Sequence, residues 1–139
     1  MTEQGRSGLF AVLHVASSLE ARVEARLAEV GLSLPKLAAL HQLAQAGDSL
    51  PLGQLAERLA CVKSNVTQLV DRLEADGLVL RTADPGDRRA RLAVLTESGK
   101  SALVRGTQIR QHCEREIFGA LSSDEAASLQ NLLAKLEQS

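Results

Sequence analysis

Arg88, Arg89 and Arg91 stand within four positions of one another, directly behind the run Asp84-Pro85-Gly86-Asp87. A guanidinium is planar, permanently charged and shaped to meet phosphate oxygens or to enter the narrow minor groove of a duplex. The run before the arginines is turn chemistry, because Pro fixes φ and Gly accepts φ > 0. Held at a thin exposed tip, such charges cost little folding energy. A second polar set, Lys63, Ser64, Asn65, Thr67, Gln68 and Arg72, lies a short distance upstream. On a helix placed in a major groove, an Asn or Gln amide pairs bidentately with adenine and a Thr methyl meets that of thymine. Asn65, Thr67 and Gln68 are therefore candidate base contacts. Lys63 and Ser64, nearer the positive helix end, are candidate phosphate contacts. Each set alone also fits a plainer reading, a solvated tip or an ordinary polar helix face.

Elements that could hold these groups follow from the apolar pattern. Leu9, Val12, Leu13, Ala16, Leu19, Val23, Leu27 and Val30 keep the three-and-four spacing of one helical face, predicting a helix over 9–30 that Gly31 ends. Ser33 is the expected N-cap of a second helix, with Pro35 in its first turn, Leu37, Leu40, Leu43 and Ala44 inward, and Gly47-Asp48 as its stop. Leu50-Pro51-Leu52 reads as an extended link, 53–60 as a compact helix, and 63–75 as a helix burying Val66, Leu69, Val70 and Leu73. Two short helices across a tight turn, the second polar outside, describe a helix-turn-helix. The alternating runs 78–82 and 92–95 then make the arginine-bearing turn a β-hairpin, so the unit is a winged helix. Thr96 caps a long helix to about Phe118, striped by Ala102, Gly106, Ile109, Cys113 and Ile117. A capping box at Ser122–Glu125 opens the last helix, with Leu129, Leu132, Leu133 and Leu136 on one face.

The expected fold is mainly α with a small β-hairpin, one domain over 1–139. Residues 33–96 form the winged helix-turn-helix lobe, and 1–32 and 97–139 form helices too apolar to bury their faces on that lobe alone. A homodimer would cover them, and two-fold proteins suit palindromic DNA. A length of 139 residues allows one domain, and 45% apolar with 24% charged residues allows a core. Net charge is only −1, yet Arg81, Arg88, Arg89 and Arg91 cluster while acids collect elsewhere. With Phe10 and Phe118 the only aromatics, a single-strand binder lacks its stacking platforms. No membrane span or secretory signal is apparent, and two cysteines fit a reducing compartment, so a cytoplasmic location is expected. Glycine-rich phosphate loops, G-x-S-x-G and paired Cys clusters are absent, so no catalytic residue, cofactor or metal is assigned and an enzyme is not expected. The competing reading is a winged-helix dimer used as a protein-interaction module without DNA.

Leu69-Val70-Asp71-Arg72-Leu73-Glu74, Gly77-Leu78-Val79, Arg81, Asp87-Arg88-Arg89 and Leu95-Thr96-Glu97-Ser98-Gly99 together resemble the MarR family of bacterial transcription regulators. The resemblance spans residues 8 to 138. It implies a homodimer joined by its terminal helices that represses, or sometimes activates, from a pseudo-palindromic operator, with release by a small aromatic or phenolic ligand or by thiol oxidation. It places Arg89 in the minor groove, Asp87 as the acid orienting it through a salt bridge, and Arg88 and Arg91 near the backbone. Arg81, at the hairpin base, either contacts DNA or pairs with Asp71 or Asp84. Val62 departs from the Ser or Thr that commonly caps the family's recognition helix.

Cys61, beside Lys63 and a helix start, is the redox candidate. Cys113 sits on an apolar stripe, where a thiol is usually inert. Neither lies near the chain start, where the peroxide-sensing branch carries its reactive cysteine. His14, His41 and His112 fall on three long helices that in the family line a cleft, and with Arg22 they are the candidate lining of an effector pocket. Gln108 stands four before His112, so an H-x-x-x-H pair is missing and no metal site is assigned.

Overall fold

Capping side chains mark where the helices begin. The structure, a computed structural model, describes residues 8–59 and 65–138. Helix α1 (Gly8–Ala28) leads through Gly31, at φ 74°, into α2 (Leu34–Gln45). Ser33 Oγ accepts the Lys36 backbone N–H at 3.2 Å, and Glu24 of α1 accepts the Leu34 N–H at 2.6 Å, so two side chains satisfy donors the helix itself cannot. Strand β1 (Ser49–Pro51) and the short α3 (Leu52–Arg58) precede α4 (Val66–Ala75). The hairpin of β2 (Val79–Asp84) and β3 (Asp87–Leu95) follows, then α5 (Glu97–Phe118) and α6 (Ser123–Glu137). Thr96 caps α5 by accepting the Gly99 N–H at 2.9 Å, and the Ser122–Glu125 box closes reciprocally at 2.9 and 3.1 Å.

The sheet has the antiparallel order β1-β3-β2. The segment expected as a link is thus a third strand: Ser49 pairs with Val94 and Pro51 with Leu92. Pro51 is tolerated there because β1 is an edge strand, where a missing N–H breaks no inner ladder. Pairing of β2 with β3 runs in step from Val79↔Leu95 to Ala83↔Arg91, then jumps to Asp84↔Asp87. Consecutive residues of β2 therefore face residues four apart on β3, and Arg88, Arg89 and Ala90 bulge without partners opposite. The tip also closes differently from expectation. Gly86 is not among the positive-φ glycines; Asp84 Oδ1 accepts its N–H at 2.9 Å and makes the turn with a side chain.

The core gathers Leu27 of α1, Leu37, Leu40 and Leu43 of α2, Leu55 of α3, Leu69, Val70 and Leu73 of α4, and Val79, Ala93 and Leu95 of the sheet. Two glycines let α5 approach it. A Cβ on Gly106 would stand 2.7 Å from Leu37 Cδ1, and one on Gly99 would stand 2.1 Å from the Leu78 carbonyl oxygen. Thr96 Oγ1 donates to the Gly77 carbonyl at 2.7 Å beside that contact, so the root of α5 is locked to the turn between α4 and β2.

The two ends of the chain are left over. The stripe expected on α1 is buried only near its end, at Leu27, with Leu19, Val23 and Val30 half-buried. Leu9 and Phe10 are 67% and 70% exposed, and Val12, Leu13 and Val15 are exposed beside them. Helix α6 buries no residue, packs extensively against no other described element, and shows Leu132, Leu133 and Leu136 to solvent.

Candidate nucleic-acid interface

Burial assigns α4 its faces. Leu69, Val70 and Leu73 are buried and Val66 is half-buried, so at about 100° per residue the opposite side falls to Gln68, Asp71 and Ala75. Thr67, Asp71 and Glu74 form the flank beside the hairpin. Asn65, Gln68 and Arg72 form the other flank, which shares a cleft of about 180 Å³ with Ser33, Pro35 and Lys36 at the start of α2. Thr67 and Gln68 are exposed, as the base-contact reading requires, and so is Arg72. Asn65 is a correction. It is the N-cap, outside the helix, and its Oδ1 accepts the Gln68 N–H at 3.2 Å. An oxygen turned onto a helix end does not present an adenine-pairing amide edge to a groove. Lys63, Ser64 and the redox candidate Cys61 lie outside the described residues, as does the expected start of this helix.

Arg81 grips the hairpin flank of α4. Its Nη2 bonds Asp71 Oδ1 and reaches the Thr67 carbonyl at 3.3 Å, while Nη1 lies 3.9 Å from Glu74. The Arg81 backbone N–H donates to Glu74 Oε2 at 3.2 Å. Of the partners open in the sequence, the structure selects Asp71; Asp84 is engaged in the turn. Glu74 is the contributor that sequence reading missed. Its signal was the 67, 71, 74 spacing, which puts three acceptors on one flank facing an arginine. The clamp neutralises Asp71, the acid on the outward face of α4.

In the wing, Asp87 and Arg89 interact differently from expectation. Asp87 Oδ1 accepts the Arg89 backbone N–H at 3.0 Å, and no ion pair joins the two side chains among the described residues. The acid shapes the bulge and leaves the guanidinium free. Arg88, Arg89 and Arg91 are exposed and form no ion pair with any described residue.

The effector candidates are only partly brought together. Arg22 lines a cleft of about 340 Å³ between α1 and α5 with Arg26, Cys113, Glu116 and Ile117. His112 Nε2 is 3.4 Å from Glu116, which also meets Arg26 at 3.6 Å. His14 and His41 are exposed and do not line this cleft. Cys113 is buried. No group of three His, Cys, Asp or Glu side chains that could hold a metal occurs among the described residues. At the root of α5, Lys100 donates to Asp48 at 3.2 Å and Glu97 at 3.3 Å, and these bonds hold its ammonium above the ordinary lysine value of 10.5.

Comparison with known proteins places this geometry. The MarR family profile matches residues 32–90, the span from the start of α2 through the bulged arginines. A relative from Bacillus subtilis (strain 168), the uncharacterized HTH-type transcriptional regulator YkoM, is 36% identical over 107 residues, covering 77% of this chain and 69% of that protein. The chain belongs to the MarR family. Members of this family are DNA-binding transcription regulators and not enzymes, which agrees with the expected fold class and function class. Solved MarR-type folds superpose closely. A cysteine-to-serine mutant of MarR from E. coli, complexed with operator DNA, gives a TM-score of 0.79 at 24% identity, covering 92% of each chain. An organohalide-sensing transcriptional regulator in its 2,4-dichlorophenol-bound form gives 0.84 at 23% identity, covering 97% of this chain and 80% of that one. At these identities the likeness is one of fold. No described helix is long and apolar enough to cross a membrane.

Proposed function

We propose that this MarR-family regulator is a homodimeric repressor that binds a pseudo-palindromic duplex operator and leaves it when a small aromatic or phenolic effector binds or a thiol is oxidised. The observation that carries the DNA reading is the pairing of two unsatisfied surfaces. The polar outer side of α4 lies open, and the arginines of the hairpin, exposed at 88, 89 and 91, have no acidic partners among the described residues. Residues 33–96 serve as the DNA lobe, with Thr67 and Gln68 toward the major groove, Arg89 toward the minor groove, and Arg72, Arg88 and Arg91 on the backbone. Arg81 acts by holding α4. Residues 1–32 and 97–139 serve as the dimer region, since a second copy covers the leucines that α1 and α6 leave in water. Repression, the effector and its release step draw on the family; the cleft at Arg22 and His112 is the candidate effector site, and the operator-bound and dichlorophenol-bound relatives support the two ligand classes.

Duplex binding measured against salt tests this. Each phosphate contact contributes a slope of about −0.9 in log K against log salt, so Arg88→Ala or Arg91→Ala, lost twice in a dimer, flattens the slope by about 2. Arg89→Ala costs about 1–3 kcal/mol of operator affinity per contact. Unchanged affinity in Arg89→Ala overturns its assignment. Absence of saturable, salt-dependent duplex binding overturns the DNA reading and favours a protein-interaction module.

A further inference from the structure

We propose that Gln68 is the side chain of α4 that reads a base, that the base is adenine, and that Asn65 contributes only as an amide donor; this rests on the DNA-binding reading above. The two amides are three positions apart and look equivalent in sequence. The structure separates them. Asn65 Oδ1 is turned onto the helix end, accepting the Gln68 N–H at 3.2 Å. Bidentate adenine pairing needs one amide to offer its oxygen to N6–H and its nitrogen to N7 together, in one outward-facing plane. Asn65 reaches that pose only by giving up the cap, and a lost cap destabilises the helix. Its Nδ2 hydrogens remain available to an acceptor.

Gln68 is the complementary case. Its backbone N–H is satisfied by the cap, and its side-chain amide has no partner among the described residues. It stands opposite the buried Leu69, Val70 and Leu73, where a helix laid in a groove points at base edges. Its outward neighbours leave it that role. Asp71 is bound to Arg81, and Thr67, on the hairpin flank, offers a methyl and a hydroxyl but no amide edge for bidentate pairing. Arg72, one turn on from Gln68, is exposed and without an ion pair among the described residues, which suits a phosphate. Guanine reading calls for an Arg or Lys in this outward position, and the described part of α4 has none there.

Duplexes selected by the full-length chain provide the test. Every base pair of the best half-site is then replaced in turn, with affinity read by fluorescence anisotropy at fixed salt. Wild type prefers A·T at one inner position by about tenfold to a hundredfold. Gln68→Ala erases that preference and keeps those at other positions. Gln68→Glu moves it to C·G, because a carboxylate accepts from cytosine N4. Asn65→Ser keeps the cap, so its melting temperature stays with wild type, its preferences persist, and binding to all duplexes weakens alike by about thirtyfold for one donated bond in each protomer. Unmoved preferences in Gln68→Glu, or loss of the A·T preference in Asn65→Ser, overturn the inference while the DNA reading stands. A wild type that binds no duplex overturns both.

Discussion

Replacing Gly99 with alanine tests the joint on which the wing is mounted. A Cβ there would stand 2.1 Å from the Leu78 carbonyl oxygen and 2.7 Å from Leu95 Cδ1. The leucine methyl can rotate away. The carbonyl cannot, because it accepts the Thr96 N–H at 3.1 Å and belongs to the turn that joins α4 to β2. Carbon and carbonyl oxygen meet comfortably at about 3.3 Å or more, so the first turn of α5 and Leu78 must part by about 1 Å. That movement stretches both the Thr96 N–H bond and the 2.7 Å bond from Thr96 Oγ1 to Gly77. Each hydrogen bond contributes about 1 kcal/mol and overpacking costs about 1–3 kcal/mol, against about 1 kcal/mol that alanine returns as helix propensity. The expected net loss is about 2–4 kcal/mol, or roughly 10 °C in melting temperature for a chain of this size. Urea unfolding followed by far-UV circular dichroism, at one protein concentration, measures it. Gly106→Ala is the control: its nearest contacts, at 2.7 and 2.8 Å, are the side-chain ends of Leu37 and Leu32, which can give. A Gly99→Ala protein within about 0.5 kcal/mol of wild type, or one more stable than Gly106→Ala, refutes the reasoning.

Three further outcomes follow from the same contacts. Arg81 and Asp71 side chains are 24% and 54% exposed, so a double-mutant cycle with Arg81→Ala and Asp71→Ala should show a coupling of no more than about 1 kcal/mol in unfolding; zero coupling makes the clamp idle. Leu133→Glu and Leu136→Glu together should break the proposed dimer into monomers in sedimentation, because both side chains are exposed on a helix that packs extensively on no other described element; a dimer in both proteins removes α6 from the interface, and a monomeric wild type removes the dimer. The raised value of Lys100 means that its bonds to the Asp48 and Glu97 carboxylates contribute stability that is lost on the alkaline side, as pH climbs from 10.5 through the raised value. The melting-temperature gap between wild type and Lys100→Gln should therefore close at high alkaline pH; a gap that widens there contradicts this.

Helix starts were the most legible part of the fold, because caps are local: Ser33, Thr96 and Ser122 each announce themselves by residue type and a donor three positions on. What failed to show in sequence depends on partners far along the chain. Leu50-Pro51-Leu52 looks like a link because three residues carry no period, and only the pairing of Ser49–Pro51 with Leu92–Val94 makes a strand there. Asn65 has the residue type for both a cap and a base contact, and the fold gave it the first. Arg81 had two roles open to it in sequence, a DNA contact or a pairing with Asp71 or Asp84, and the packing of β2 on α4 brought Asp71, Glu74 and Thr67 to one side of it. Asp87 was expected to hold the Arg89 side chain and holds its backbone instead, a distinction residue types do not encode. The apolar faces of α1 and α6 were read correctly as apolar, but a single chain leaves them in water.

The bulge at Arg88, Arg89 and Ala90 divides the hairpin into two parts with different freedom to change length. Between Val79 and Ala83 every residue is in step with β3, and one inserted residue would turn each later side chain to the opposite face. Arg81 would lose α4. At 88–90 no such coupling exists, since those residues already lack partners opposite. An added or deleted residue there changes how far the charged tip extends while the strands beneath keep their alignment. The hairpin thus joins a stem whose length is locked to a crown whose length is open to evolutionary adjustment.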